Sequence, residues 1–440
     1  MLKTFKIGGI HPPGRKLSAG RRVETLIVPD QVIIPLSQSL GSPSIPVVAK
    51  GDNVKVGTLI AKSSGFISAN IHSSVSGTVV KIDKAIDVSG YKRDAIYIKV
   101  EGDEWEESID RSPDLVRECS LSSKEIIDKI EAAGIVGLGG ATFPTNVKLL
   151  SGVGKVDSLI INATECEPCL TDDHSLMLLK REEILVGTHI LMKAIEVKKA
   201  YIGIENNKDD VIEILSRIAL DYPGIEVVAL KEKYPQGGEK QLIDAILKRQ
   251  VPSGKLPADV GCVVQNIGTT FAVYEAIQKN KPLVERIITF TGKGVDAKDY
   301  LVRIGTQVSY LLTYPLKPIK PYEKIIAGGP MMGKALVSSD VPISKGVSGI
   351  LLMDKDEAHR RPARDCIRCG QCVQACPMGL VPNSLMTFAE FEDWDKAEKF
   401  HIYDCLECGS CMYVCPSNRP LLDYIRLGKA KVLTIRRNRK

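Results

Sequence analysis

The chain has 440 residues, 44% of them hydrophobic and 25% charged, the balance of an ordinary soluble protein with room for about three domains. Its formal net charge of +6 is small for that length and only 5% of its residues are aromatic, so neither a polyanion-binding surface nor a base-stacking platform is indicated, and no nucleic acid is expected as a partner. No apolar run approaches the roughly eighteen residues a spanning helix needs, and Met1-Leu-Lys-Thr-Phe-Lys lacks a signal-peptide core, so work at a membrane would depend on recruitment by a partner.

Residues 1–40 mix glycine, proline and basic residues around a strand-like Glu24-Thr-Leu-Ile-Val. His11-Pro12-Pro13-Gly14 is an extended lead-in, because a residue before proline avoids the helical region. From Ile45 to Val100 short Val/Ile-rich runs are punctuated by glycine, the spacing of a small sandwich. The turn Gly51-Asp-Asn-Val-Lys-Val-Gly57 and the strand Val75-Ser-Gly-Thr-Val79 resemble a lipoyl/biotinyl-type barrel-sandwich. Such domains carry a modifiable lysine on a hairpin tip. The corresponding tip here, Ser63-Ser-Gly-Phe-Ile-Ser68, has none, so it reads as a docking module without a swinging arm.

An acidic linker, Glu101–Glu107, leads to a capping box at Ser122 and Glu125. The helix it opens sets Ile126, Ile127, Ile130 and Ala133 on one face, and Gly134 suits its left-handed cap. Next comes Gly137-Leu-Gly-Gly-Ala-Thr-Phe-Pro-Thr-Asn-Val-Lys148, whose glycines allow close approach to a flat ring or a phosphate. It is not the dinucleotide fingerprint, since Thr142 stands where the third glycine belongs and a helix, not a strand, precedes it. Beyond it apolar runs at 158–161, 200–204, 226–230 and 262–264 alternate with helical patterns at 181–197, 209–220, 240–248 and 270–278. That order predicts a parallel sheet covered on both faces, with ligands outside the strands' carboxyl ends. The loops there, Asn162–Pro168, Glu205–Asn207, Tyr234–Glu239 and Gln265–Thr269, are rich in amide, carboxylate, hydroxyl and glycine. Residues 284–340 return to strands and turns and include Gly328-Gly-Pro-Met-Met-Gly333.

The C-terminal hundred residues carry Cys366-x₂-Cys369-x₂-Cys372-x₃-Cys376-Pro and, again, Cys405-x₂-Cys408-x₂-Cys411-x₃-Cys415-Pro. This is the bacterial ferredoxin run for two [4Fe–4S] clusters, in which the fourth cysteine of each run serves the other cluster. One cluster is therefore assigned to Cys366, Cys369, Cys372 and Cys415, the other to Cys405, Cys408, Cys411 and Cys376. Zinc gains nothing from the repeated third cysteine and trailing proline, and eight clustered thiols in a long chain argue against a disulfide scaffold. Cys166 and Cys169 form a further C-x₂-C with no second pair; Cys166 is expected to line a cofactor pocket. Arg436, Arg437, Arg439 and Lys440 read as a solvated basic tail.

The glycine loop, Asn162-Ala-Thr-Glu165-x-Glu167-Pro168, Gly237-Gly-Glu239, Val264-Gln-Asn266 and Gly328–Gly333 fall in an order that resembles the flavin- and NADH-binding subunit of respiratory complex I. With the barrel-sandwich before them and the paired clusters after, nearly the whole chain resembles the C subunits of the Rnf ion-translocating ferredoxin:NAD⁺ oxidoreductase. The resemblance implies a multidomain α/β protein: a barrel-sandwich over 1–105, a Rossmann-like FMN/NADH-binding domain over 115–283, a β-grasp (SLBB-type) module over 284–345, a helical ferredoxin-type domain over 355–425 and a basic tail over 426–440. It implies noncovalent FMN and NAD(H) beside the two clusters. The implied partners are membrane subunits of the Rnf complex and an iron–sulfur partner subunit or ferredoxin, on the cytoplasmic face of the inner membrane.

By matching position, Gly137, Gly139 and Gly140 would lie along the isoalloxazine and Lys148 would offer charge to the ribityl or phosphate end. Asn162, Thr164 and Glu165 would hydrogen-bond the flavin. Gly238 and Glu239 would border the nicotinamide, Asn266 and Thr269 would approach the FMN phosphate, and Phe143 would pack on the dinucleotide. The chain departs from the complex I pattern at Thr164 and Lys240, where that pattern has acids, and at Cys166, where it has serine. No residue is assigned as general acid or base. The alternative readings are a flavoprotein like the cobalamin reductases and a non-catalytic iron–sulfur adaptor.

Overall fold

The computed structural model describes residues 2–313 and 318–439. Its first strands are β1 (Glu24–Thr25), β2 (Gln31–Pro35), β3 (Ile45–Pro46), β4 (Asn53–Val54), β5 (Leu59–Lys62), β6 (Ile71–His72), β7 (Gly77–Ile86) and β8 (Lys92–Val100). Strands β2–β8–β7–β4 form one antiparallel sheet and β3–β5–β6 another. Between them Val32, Ile34, Ile60, Ile71, Val79, Ile96 and Ile98 are fully buried, the alternating inward set that closes a small sandwich.

β1 joins neither sheet of this sandwich. Glu24 and Thr25 pair in parallel with Tyr300 and Leu301 of a later sheet. The pairing covers an edge that would otherwise expose backbone donors, and it buries Leu26 among Phe290, Tyr300 and Val302. Upstream, the first residues form a strap over the parallel domain: Lys3 bridges to Leu230 and Ile10 to Tyr234.

The parallel domain runs α1 (Ser123–Ala132), α2 (Thr145–Leu150), β9 (Ser158–Asn162), α3 (Asp172–Leu179), α4 (Arg181–Ala194), β10 (Ala200–Glu205), α5 (Asp209–Ile218), β11 (Ile225–Leu230), α6 (Glu239–Leu247), β12 (Cys262–Asn266) and α7 (Ile267–Gln278). Strand order is β11–β10–β9–β12, all parallel. Helices α1, α4 and α7 pack on one face, and Leu242, Ile243 and Ile246 of α6 cover Ile160, Val228, Leu230 and Val264 on the other. The order reverses between β9 and β12, the switch point where such sheets take ligands.

β13 (Glu285–Gly292) and β14 (Lys298–Arg303) lead through α8 (Val308–Thr313) to β15 (Lys324–Ala327), β16 (Lys334–Ala335) and β17 (Gly349–Met353). The mixed sheet is β1–β14–β13–β17–β15–β16. β17, at the middle of this sheet, lies past residue 345.

α9 (Lys355–Ala358) precedes the helical C-terminal region: α10 (Gln371–Ala375), α11 (Pro382–Glu390), α12 (Trp394–Lys399), α13 (Ser410–Tyr413) and α14 (Leu421–Asn438). The expected basic tail is part of α14. Leu421, Leu422, Ile425 and Val432 are buried. Arg436 pairs with Glu398, and Arg439 with Asp395 and Glu398. Lys440 lies outside the described residues. Among the described residues no helix is long and apolar enough to cross a membrane.

Candidate functional site

Asn162 ends β9 and Asn266 ends β12, and the two face each other in register. Asn266 Oδ1 accepts from the Gly268 and Thr269 amides at 2.8 and 3.3 Å, capping α7. Its Nδ2 donates to Asp173 Oδ2 at 2.9 Å. The glycine loop lies against this amide: a Cβ on Gly139 would stand 2.7 Å from Asn266 Nδ2. Thr269 Oγ1 accepts from the Leu138 amide at 2.9 Å, so the loop is pinned to the start of α7.

Across the switch point, Asn162 Nδ2 donates to the Gly237 carbonyl at 2.9 Å and Thr164 Oγ1 donates to Asn162 Oδ1 at 2.8 Å. Gly237 is required there, since a Cβ would sit 2.4 Å from Thr164 Oγ1. Gly238 is the N-cap residue of α6, which Glu239 opens. Lys148 of α2 reaches Glu239 at 2.6 Å, tying the helix behind the glycine loop to α6. The structure thus gathers Gly137, Gly139, Gly140, Asn266 and Thr269 on one side, Asn162, Thr164, Gly238 and Glu239 on the other, and Lys148 between them.

Glu165 is linked to Asn266 through Asp173. At φ +48° it turns inward, its side chain 3% exposed, and pairs with Lys16 at 3.5 Å and Lys208 at 3.8 Å. Its Oε1 accepts from the Asp173 and His174 amides at 2.8 and 3.2 Å. Its geometry is that of an anchor for the strap and for α3. Lys240, which occupies the position of an acid in the complex I pattern, faces Asp404 of the cluster region at 3.8 Å.

Several contributors carry no sequence signal of their own. Asp173 is half-buried beside Asn266, and desolvation together with the nearby Glu165 carboxylate pushes it up to about 6. Arg286 of β13 is buried, pairs with Asp172 at 3.2 Å and donates to the Leu138 carbonyl at 3.3 Å. Lys16 donates to the carbonyls of Glu165 and Glu167 at 2.9 and 3.0 Å. Glu167 is only one letter of a motif in the sequence; in the fold its Oε1 accepts from the Met331 and Met332 amides at 2.6 and 3.0 Å. That contact holds the 328–333 loop against the 162–168 loop, and a Cβ on Gly329 would strike Glu167.

Cys166 lies in an apolar plug with Ile10, Tyr234, Met331, Ala375 and Cys408. Burial pushes its thiol up to about 12, and its Sγ accepts from the Gly237 amide at 3.3 Å. Cys169 packs elsewhere, among Ile326, Leu351 and Met353, and both are free thiols. His174 meets Asp210 at 3.0 Å. His72 is half-buried, and desolvation together with Lys345 lowers it to about 3.

The eight C-terminal cysteines fall into two neighbourhoods. Cys376, Cys405, Cys408 and Cys411 line one cavity with Leu385 and Ile425. Burial together with neighbouring Cys408 pushes Cys405 up to about 11. Burial here disfavours four thiolates on their own, and cluster iron would supply the compensating charge. Cys372 lies near Cys415 and Cys366, and Cys366 and Cys369 are exposed. Gly370 and Gly409 both hold φ +76° just before the short helices α10 and α13, a left-handed turn that a side chain resists.

The residues fit a flavin as well. Gly139 leaves no room for a Cβ, while Gly140, at φ +134°, faces open space. Thr145 Oγ1, just after the glycine loop, and Gln265 Nε2, next to Asn266 in the chain, are buried without a hydrogen-bond partner among the described residues, which is unusual for buried polar atoms.

A fold with a flavin-type cleft at the switch point and two cysteine cradles beyond it defines an electron-transfer protein combining flavin and iron–sulfur chemistry. Family models agree: the RnfC barrel sandwich hybrid domain matches residues 3–103, the Nuo51 FMN-binding domain residues 130–275 and a 4Fe-4S dicluster domain residues 365–419. The chain is 46% identical over 393 residues to the C subunit of the proton-translocating ferredoxin:NAD(+) oxidoreductase complex of Clostridium ljungdahlii, covering 88% of this chain and 84% of that one. It is 40% identical over 451 residues to the C subunit of the Na(+)-translocating ferredoxin:NAD(+) oxidoreductase complex of Acetobacterium woodii, covering 99% and 98%. The C subunit of the ion-translocating oxidoreductase complex of Rhodobacter capsulatus is 40% identical over 448 residues, covering 100% and 85%. The chain belongs to this family of Rnf-type ferredoxin:NAD(+) oxidoreductase C subunits. A solved NAD+-reducing [NiFe]-hydrogenase in the air-oxidized state shares the fold, with TM-score 0.51 and 18% identity over 71% of this chain and 66% of that chain.

Proposed function

We propose that this chain is the NADH- and FMN-side electron-transfer subunit of a membrane-bound ferredoxin:NAD⁺ oxidoreductase. It carries electrons between NAD(H), FMN and two [4Fe–4S] clusters, and partner subunits couple that flow to ion translocation. The observation that carries the reading is the joining of a glycine-lined cleft to a four-cysteine cavity through one apolar plug. Bound FMN supplies the exchange between hydride pairs and single electrons that nicotinamide and clusters require.

The chain's own residues bind and orient. Gly137, Gly139 and Gly140 admit the ring, Asn162 and Thr164 offer it hydrogen bonds, and Asn266, Thr269 and Lys148 hold the phosphate and ribityl end. Gly238 and Glu239 border the nicotinamide. Glu165 acts through α3 and the strap. The strand order supports a Rossmann-like flavin domain, and the mixed sheet over 285–353 supports a β-grasp module of the SLBB type. Domain limits near 29–105, 115–283, 284–353 and 355–439 accommodate the observed pairings.

The cluster of Cys376, Cys405, Cys408 and Cys411 stands inward, against the plug, and that of Cys366, Cys369, Cys372 and Cys415 outward. A cluster held by the inner cysteines would therefore lie between the flavin cleft and one held by the outer cysteines. Membership of a multi-subunit complex among the relatives supports a place beside membrane subunits and an iron–sulfur partner, on the cytoplasmic face of the membrane. Neither the cobalamin-reductase-like alternative nor the non-catalytic adaptor is favoured by these relatives.

An anaerobic visible spectrum with iron, sulfide and flavin counts tests the reading. Eight irons and one FMN, bleached by NADH, are expected, with Glu239→Ala slowing the bleaching. Eight irons with no flavin and no bleaching would leave an iron–sulfur adaptor.

A further inference from the structure

The two cluster sites differ in what surrounds them. The inner one is walled by Leu385, Leu422 and Ile425 and by the plug. The outer one opens to solvent along a continuous exposed run from His359 to Cys369. That run carries Arg360, Arg361, Arg364 and Arg368 against a single acid, Asp365. Near its C-terminal end Ile367 is 69% exposed between the exposed thiols Cys366 and Cys369.

The run is held in place. The Arg364 amide donates to the Ser417 carbonyl at 2.9 Å, and Asn418 Nδ2 donates to the Pro362 carbonyl at 3.3 Å. Arg360 grips Asp423 of α14 through both terminal nitrogens. The side chains of Arg361, Arg364 and Arg368 are left without an ion pair among the described residues. A structural use would pair these charges, as it does Arg419, Arg426, Arg436 and Arg439 around the same helix.

We propose that His359–Cys369 is the docking surface for an acidic electron-carrier protein that exchanges single electrons with the outer cluster. The inference rests on the function proposed above and adds the chemistry of the partner. A rim of unpaired guanidinium groups steers a negative surface and sets its orientation. The apolar Ile367 gives the encounter a dry centre next to the thiols. One electron leaves the reduced carrier and reduces the cluster; no bond forms or breaks.

The test uses the full chain loaded with both clusters. A reduced acidic ferredoxin donates to the oxidised chain in a stopped-flow mixer while ionic strength rises from about 0.02 to 0.3 M, over which Debye screening tightens severalfold. In parallel, oxidised cytochrome c, a basic protein, accepts from chain that has been reduced with dithionite and desalted. The expected second-order rate constant with ferredoxin falls roughly tenfold or more with salt. Arg361→Glu combined with Arg364→Glu lowers it by a similar factor at low salt and raises the rate with cytochrome c. Both substitutions lie outside the ligand run, and an unchanged cluster spectrum and iron count show that the variant is folded and loaded.

A ferredoxin rate indifferent to salt and to charge reversal overturns the proposal. So does a cytochrome c rate that fails to rise. If NADH does not bleach the clusters of the unaltered chain, the electron-transfer reading above fails instead. The ferredoxin and cytochrome c arms still report on docking, because neither uses NADH.

Discussion

The phenol of Tyr234 donates a hydrogen bond to the carbonyl oxygen of Cys408 at 2.8 Å, in a spot where Tyr234 is 2% exposed. Tyr234 belongs to the loop after β11, which leads to Gly237 and Gly238 at the flavin-type cleft, and Cys408 lies among the thiols of the inner cavity. The contact is reinforced from the strap, where the Gly9 amide donates to the Ala375 carbonyl at 3.0 Å, and from α6, where Gln241 donates to the Pro377 carbonyl at 3.0 Å. Gly8, at φ +63°, must be glycine, because a Cβ would lie 2.3 Å from the Cys376 carbonyl oxygen. Tyr234→Phe keeps the ring and removes one buried hydrogen bond, leaving the Cys408 carbonyl unpaired. We expect a stability loss of about 1 kcal/mol and slower reduction of the inner cluster by NADH. An unchanged rate in freeze-quench EPR would show that the contact is structural only.

The grouping of the thiols makes a prediction about pairs. Cys376 sits in the first run but faces Cys405, Cys408 and Cys411, while Cys415 sits in the second but lies near Cys372. Cys376→Ser and Cys405→Ser should therefore remove the same EPR signal, and Cys415→Ser and Cys366→Ser the other. Each variant should retain about four of the eight irons. If Cys376→Ser instead behaves like Cys366→Ser, the crossed arrangement is wrong.

Local patterns were the legible part of the sequence. The cysteine runs fix their own ligand spacing, and β9 to β12 announce themselves as short apolar stretches because both faces of a parallel sheet are buried. Long-range partners were not legible. Lys16 lies in a proline-rich lead-in with no periodicity, and only folding brings it to Glu165, 149 residues away. Glu165 takes a left-handed backbone that turns its carboxylate towards Lys16 and Lys208, and no side-chain pattern encodes that turn. Proximity in sequence places β1 with the barrel, yet the open edge of β14 claims it. The tail reads as solvated because basic residues interrupt the apolar spacing of Leu422, Ile425 and Val432 in α14, and the acids they pair with lie on α12.

Asp173 gives a handle on the flavin's environment. Its carboxylate holds the Asn266 amide at 2.9 Å, and Glu165, Asp172, Arg286 and Lys208 are its charged neighbours. Asp173→Asn keeps the shape and removes a negative charge, so the flavin should become easier to reduce. Each ~1.4 kcal/mol of repulsion removed is on the order of 30 mV for a two-electron couple. Because Asp173 is pushed up to about 6, it is ionised at pH 8 and largely protonated at pH 5, so the shift in midpoint potential should be larger at pH 8. Potentiometry that finds the same shift at both pH values would assign the effect to packing.

Glu205, at the end of β10, is 1% exposed, and burial outweighs the attraction of Lys208 to push it from 4.5 up to about 7. Between these values the folded chain holds a proton that the unfolded chain has released. Stability from this group is therefore present at low pH and falls as pH rises towards 7, by about 3 kcal/mol at most. Glu205→Gln can still accept from the Lys233 amide, now bonded at 3.3 Å, and it carries no charge to bury. Relative to the unaltered chain, the variant should gain stability at pH 8 and show little difference at pH 5. Other titrating groups, such as His72, cancel in that comparison because both chains share them. Denaturant unfolding of the two proteins at the two pH values measures it directly. A variant destabilised equally at both would mean that Glu205 is ionised in the folded state and that Lys208 governs its charge.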